Sequence, residues 1–167
     1  MEETLKRRFV FDTSALISLG SIKLIDKILD FSEIIVAPSV IDELENFAKH
    51  EDKYGLAAKE VLNYKGLFTI EIPKNTEKIE FIQKTDNELY NIAKANSIPL
   101  ITDDIKLSRH LSNYIKTYFS TQFIIILVVS NHLHKEEALK LLDELKDIRN
   151  WRNNIIYLST KNAIEKL

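Results

Sequence analysis

Short apolar runs alternate with longer stretches of helical periodicity along this chain. Phe9-Val-Phe11 is a compact apolar run that ends at Asp12. Glu33-Ile-Ile-Val-Ala37 is a second, and Leu67-Phe-Thr-Ile-Glu-Ile72 alternates as a third. Ile98 to Thr102 and Tyr114 to Phe119 are a fourth and a fifth. Runs of this length and β-branched content predict short, buried strands.

The segments between them carry helical spacing. Helices are expected over 15–19, from Ser21 with Ile22, Ile25, Ile28 and Leu29 on one face, over 40–48, and over 52–64. Gly20-Ser21 is expected to break the first and Gly66 to close the last of these. Ser39 and Thr85 read as N-caps, Thr85 with Glu88 as a capping box. The helix after Thr85 turns Leu89, Ile92 and Ala93 inward, and 105–111 reads as another helix. Pro73 to Lys84 is polar and reads as a connection with a short helix. Phe123 to Val129 is rich in β-branched residues, yet Ser120 and Thr121 before it resemble caps, which favours a short buried helix. Helices over 136–148 and 155–167 finish the chain.

Strands alternating with helices imply a parallel sheet with crossover connections. The expected fold class is α/β, a three-layer α/β/α arrangement with a central parallel sheet of about five strands, plus C-terminal helices. A chain of 167 residues fits one domain over 1–167.

The pattern gives four acids a common address. Asp12 and Asp104 end strands, where open parallel sheets place their ligands. At roughly 100° per residue, Glu43 lies at the border of the apolar face made by Val40, Leu44 and Phe47, while Asp42 and Glu45 point away. Asp86 lies about 60° from the centre of its helix's inner face. Each acid alone also fits a plainer role. Asp12, or one of Asp103 and Asp104, could cap a helix; Asp86 suits a first turn; Glu43 could be a snorkelling border residue. Together, clustered carboxylates repel and raise one another's pKa unless a cation compensates. Oxygen-only ligands suit Mg²⁺ or Mn²⁺.

Composition narrows the chemistry. With no cysteine, disulfides, thiolate metal sites and a cysteine nucleophile are excluded. Three glycines exclude glycine-rich phosphate cradles. A net charge of −2 and a pI near 6.1 give no global pull toward nucleic acid. A polyanion would need local basic residues or bound cations. Lys106 and Arg109, one turn beyond Asp104, are candidate phosphate contacts; Lys6, Arg7, Arg8, Arg149 and Arg152 are further ones without a spacing argument. His132 and His134 lack a third ligand nearby. The longest apolar run, 123–129, is too short for a bilayer, and none follows the N-terminus. No membrane association and cytoplasmic residence are expected.

Four segments, in order, resemble the PIN domain. They are Phe11-Asp-Thr-Ser-Ala-Leu-Ile, Val36-Ala-Pro-Ser-Val-Ile-Asp-Glu43-Leu, Thr85-Asp86-Asn-Glu-Leu-Tyr-Asn-Ile-Ala-Lys-Ala and Pro99-Leu-Ile-Thr-Asp-Asp104. The resemblance covers about 8–130 as a core. The tail, about 135–167, resembles a helical extension of archaeal members. The resemblance implies a metal-dependent nuclease, usually a ribonuclease, with Asp12, Glu43, Asp86 and Asp104 as its catalytic acids. Asp12, Asp86 and Asp104 would hold Mg²⁺ or Mn²⁺. Asp103 stands where many members have Asn, so it is either a further ligand or a carboxylate behind the ligands. Ser14 matches a family hydroxyl that orients a ligand or water, and Thr102 matches another hydroxyl near the site. The expected partner is RNA. An antitoxin protein, if the chain is a toxin, and a second copy in a homodimer are further possible partners. A non-catalytic RNA- or protein-binding module is the competing reading. Haloacid-dehalogenase and receiver folds fit poorly, since Ser14 stands where the former need a second Asp.

Overall fold

The computed structural model describes residues 6–74 and 76–167. Met1–Leu5 and Asn75, which belong to the N-terminal and 73–84 readings, lie outside the described residues. In chain order the elements are β1 (Arg7–Phe11), α1 (Thr13–Ser21), α2 (Ile25–Phe31), β2 (Ser32–Val36), α3 (Pro38–Phe47) and α4 (Lys53–Leu62). A 3₁₀ turn at Lys65–Leu67 leads to β3 (Thr69–Ile70) and α5 (Lys84–Asn96). Then come β4 (Leu100–Ile101), α6 (Ile105–Leu111), β5 (Thr117–Tyr118), α7 (Ser120–Val129), α8 (Lys135–Arg149) and α9 (Ile155–Glu165).

The five strands form one parallel sheet in the order β3-β2-β1-β4-β5, flanked by helices as a three-layer α/β/α fold. The chain winds outward from β1 to β3, then returns across the sheet to β4 and β5. Right-handed crossovers put the helices of the outward and the return winding on opposite faces. Accordingly α5 packs on β1 and β4, while α1 packs on α4 and α7.

The core is one apolar cluster running from Phe9 to Ile164. Its aromatic centre joins the sheet to α7, with Phe123 edge-on to Phe9 at 4.9 Å and to Phe11 at 5.4 Å between ring centroids. Ser120–Val129 forms a helix, as expected for this segment, and its Phe123 is fully buried.

Several local expectations are corrected. Gly20 does not break α1 but lies inside it, where a Cβ would come within 2.4 Å of Val61 Cγ2 on α4. Its missing side chain is what lets the two helices approach. Gly66 sits in the 3₁₀ turn rather than closing α4. Ser39 and Thr85 are not caps. Pro38, with φ preset for a first helical position, starts α3 and moves Ser39 inside it. The Ser39 hydroxyl instead donates to Glu88 on α5. Gln83 takes the cap position of α5. The third, fourth and fifth strands pair over two residues each, fewer than their apolar runs suggest. No helix forms among the described residues of 73–83. The Asn91 and Asn87 side chains hold this segment instead, accepting the Glu77 and Ile79 backbone N–H groups at 3.1 and 3.0 Å.

Candidate active site

The sheet order sets β1 beside β4, where the winding reverses. Phe11 pairs in register with Ile101, and the Asp12 N–H donates to Ile101 O at 2.9 Å. The residues that leave this crevice are Asp12 on one side and Thr102-Asp103-Asp104 on the other. Ligands of open α/β sheets bind at such reversal points.

Asp12 is only 7% exposed. It occupies the N-cap position of α1 yet makes no side-chain cap bond. Its Oδ2 instead accepts the Ser14 hydroxyl at 2.6 Å and the Thr102 hydroxyl at 2.7 Å. Those hydroxyls in turn accept the backbone N–H groups of Asp103 at 3.0 Å and Asp104 at 3.1 Å. The two N–H groups that emerge from β4 thus reach Asp12 through one hydroxyl each. Burial pushes the Asp12 carboxyl up, the two hydroxyl bonds pull it back, and the nearby Glu43 carboxylate adds to the rise.

Asp104 caps α6, its Oδ1 accepting the Lys106 and Leu107 N–H groups at 2.8 and 3.0 Å. The capping occupies one oxygen, and the second accepts no hydrogen bond among the described residues, so the plain role does not exclude the candidate one. Glu43 comes from α3, and the Thr13 hydroxyl donates to its Oε2 at 2.6 Å. Asp42 and Glu45 are exposed, as the helical spacing predicts. Asp86 comes from the first turn of α5. Burial pushes its carboxyl up to about 6, the Asp12 charge adds to the rise, the Gln83 backbone N–H opposes it, and Asp104 and Glu43 add further.

All four acids line one cleft of about 390 Å³. Ile17, Phe47 and Tyr54 give it apolar walls. Phe47, expected inside, is 41% exposed because it overhangs this cleft. A second hollow of similar size continues past Glu43 and Phe47 toward His50 and Asp52. Among the described residues no group of three or more His, Asp or Glu side chains forms a ready-made ion cage. The donor set nevertheless fits a hard divalent cation. Every group is an oxygen, and three carboxylates raise the pKa of the fourth, a repulsion that such a cation removes.

A family profile described as PIN domain matches residues 8–165. The chain belongs to the PIN-domain family. The match takes in α8 and α9 as well as the sheet. No curated protein matches the chain by sequence. PIN domains are nuclease-type folds with nucleic acid as substrate. Among the described residues no helix is long and apolar enough to cross a membrane.

In this PIN domain Asp103, read either as a further ligand or as a carboxylate behind the ligands, is placed away from the cleft. Its Oδ2 accepts the Ser18 and Ser120 hydroxyls at 2.5 and 2.8 Å, and its Oδ1 accepts the Ser120 N–H at 2.9 Å. It ties the end of β4 to α1 and to the N-terminus of α7, where a carboxylate suits the helix dipole. Successive residues leaving a strand point to opposite sides, so Asp103 and Thr102 cannot both face Asp12. Burial raises the Asp103 carboxyl too, against these hydrogen bonds.

The basic candidates also separate. Lys106 and Arg109 are exposed on α6 and do not line the cleft. Lys6, Arg7 and Arg8 stand at the opposite end of β1. There Lys6 donates to Leu29 O, Arg7 lies over the Phe31 ring and Arg8 pairs with Glu33. Arg152 is exposed. Arg149, which no spacing argument singled out, lines the cleft. Tyr54 and Gln83 are cleft residues that periodicity did not identify. Phe47 could have been found, lying one helical turn after Glu43 on the same face. His132 packs against Phe31 and bonds Ser130 O, away from the acids.

Proposed function

We propose that this PIN domain is an endoribonuclease that hydrolyses phosphodiester bonds with Mg²⁺ or Mn²⁺. The observation that carries the reading is the arrival of Asp12, Glu43, Asp86 and Asp104 from four separate segments at one cleft, with Asp86 perturbed by the other three. Perturbed acids in a cleft are candidates for chemistry rather than for packing.

Asp12, Asp86 and Asp104 would hold the cation. Bound there, it supplies charge stabilisation and eases deprotonation of water. The rest falls to side chains. Ser14 and Thr102 keep Asp12 oriented and favour its ionised form. Thr13 holds one oxygen of Glu43, which leaves the other to take the proton of the attacking water. The water attacks phosphorus in line as its proton passes to Glu43, the P–O bond to the departing ribose oxygen breaks, and that oxygen takes its proton from solvent water. No covalent intermediate on the protein is needed. The apolar walls of Phe47, Tyr54 and Ile17 limit bulk water around the reacting phosphate.

The test is incubation of an end-labelled single-stranded RNA, and DNA of the same sequence, with Mg²⁺, Mn²⁺ or EDTA. Cleavage of RNA with either cation and none in EDTA is expected. Intact RNA under both cations contradicts the reading.

A further inference from the structure

The proposed nuclease cleft carries an electrostatic problem. Its four acids repel the phosphates they are meant to receive. One cationic side chain lines it among the described residues, Arg149, the last residue of α8.

The way Arg149 is held is specific. Asn150 adopts a left-handed conformation, φ 57°, and ends α8. The Trp151 N–H then turns back to Lys146 O at 2.8 Å, a Schellman-type closure. That closure brings the Trp151 ring beneath Arg149, with the guanidinium carbon 5.5 Å from the ring centroid. Tyr54, at the start of α4, offers a second ring at 5.7 Å. Lys53, beside Tyr54, donates to Ile148 O and fastens the end of α8 to α4.

Two aromatic faces therefore fix the guanidinium without using its N–H donors. Among the described residues Arg149 forms no ion pair, and its charge lowers the Asp103 carboxyl by less than the Ser18 and Ser120 hydrogen bonds do. A positioned guanidinium with its donors unspent is suited to bidentate capture of a phosphate. Tyr54 faces the same cleft, so it can also meet a base adjoining that phosphate.

We infer that Arg149, clamped by Tyr54 and Trp151, binds a backbone phosphate flanking the bond that is cut. The inference rests on the nuclease reading and assigns the phosphate contact to α8 rather than to Lys106 and Arg109. Arg149 acts on substrate binding, so its loss should appear in KM and not in kcat.

The experiment is fluorescence anisotropy of a labelled single-stranded RNA in EDTA across a salt series, with cleavage kinetics in Mn²⁺ alongside. Arg149→Gln is expected to weaken binding about tenfold and to flatten the plot of log affinity against log salt by about 0.7, the value of one single-strand phosphate contact. KM should rise by a similar factor with kcat within about twofold, since the lost contact is uniform binding. Arg149→Lys keeps the charge, and so the salt slope, but loses the stacked bidentate fork, so it should weaken binding several-fold at constant slope. If Arg149→Gln proves unstable, parental affinity in Arg149→Lys overturns the inference. Lys59→Gln, on the exposed side of α4, should match the parent. Parental affinity and slope in Arg149→Gln, with the parent cutting RNA, overturn this inference and leave the nuclease reading standing. RNA that the parent neither binds nor cuts overturns both.

Discussion

Thr102 Oγ1 donates a 2.7 Å hydrogen bond to Asp12 Oδ2, joining the ends of two neighbouring strands across 90 residues of sequence. Ser14 donates to the same oxygen at 2.6 Å. A carboxylate this buried stays ionised only if its donors are kept.

Thr102→Val removes one of them and keeps the shape. The variant should lose about 1–3 kcal/mol, the cost of a buried polar group deprived of its partner. The Asp12 carboxyl should rise further, so the acidic limb of the cleavage profile should move to higher pH. Urea melts and a pH–rate profile check the two effects, and Thr102→Ser should restore both.

Asp86 makes stability depend on pH in a defined direction. Its folded value, about 6, lies above the ordinary 3.8. Between those values the native chain binds more protons than the unfolded one, so this group's contribution falls as pH rises through the window. Asp86→Asn abolishes that loss. It should stabilise the ion-free protein at pH 7 by about 1 kcal/mol, discounted for the solvent that reaches the side chain. The same variant should lose Mn²⁺-induced stabilisation, which in the parent should be larger at pH 7 than at pH 5. Thermal melts with and without Mn²⁺ at both pH values check the pair.

Asp103 separates ligand from scaffold. Asn at this position keeps an acceptor for the Ser120 N–H, and its amide can meet the two serine hydroxyls. Asp103→Asn should therefore cost about tenfold in cleavage, the lower end of the range in which a supporting group acts. Asp103→Ala strands three donors and should cost about 1–3 kcal/mol. Cleavage rates and melting temperatures of the two variants decide the matter.

Much of this arrangement was legible in the sequence. Phe9–Phe11 and Leu100–Ile101 are apolar runs that stop at carboxylates, and alternating elements imply the parallel sheet that brings such ends together. Glu43 and Asp86 follow from helical spacing, since an angle on a helix is local. The helix at 120–129 was legible from its flanking hydroxyl residues, although its first N–H is capped from outside by Asp103. What stayed hidden depends on distant partners. Gly20 looks like a breaker until Val61 is packed against it. Ser39 looks like a cap until Glu88 arrives. Asp103 and Asp104 are chemically alike, and only the turn out of β4 sends one to Ser18 and Ser120 and the other to the cleft. Arg149 reaches the cleft because the end of α8 meets Lys53 and Tyr54 at the start of α4, which no periodicity encodes.

If four acids from four segments form one catalytic centre, each of them is needed for cleavage. Single-turnover cleavage of a labelled RNA in Mn²⁺ by Asp12→Asn, Glu43→Gln, Asp86→Asn and Asp104→Asn tests it most directly, with circular dichroism to verify each fold. Every folded variant is expected to lose at least about a hundredfold in rate, as when groups act as a unit. Parental rates in any two of them would contradict the shared centre.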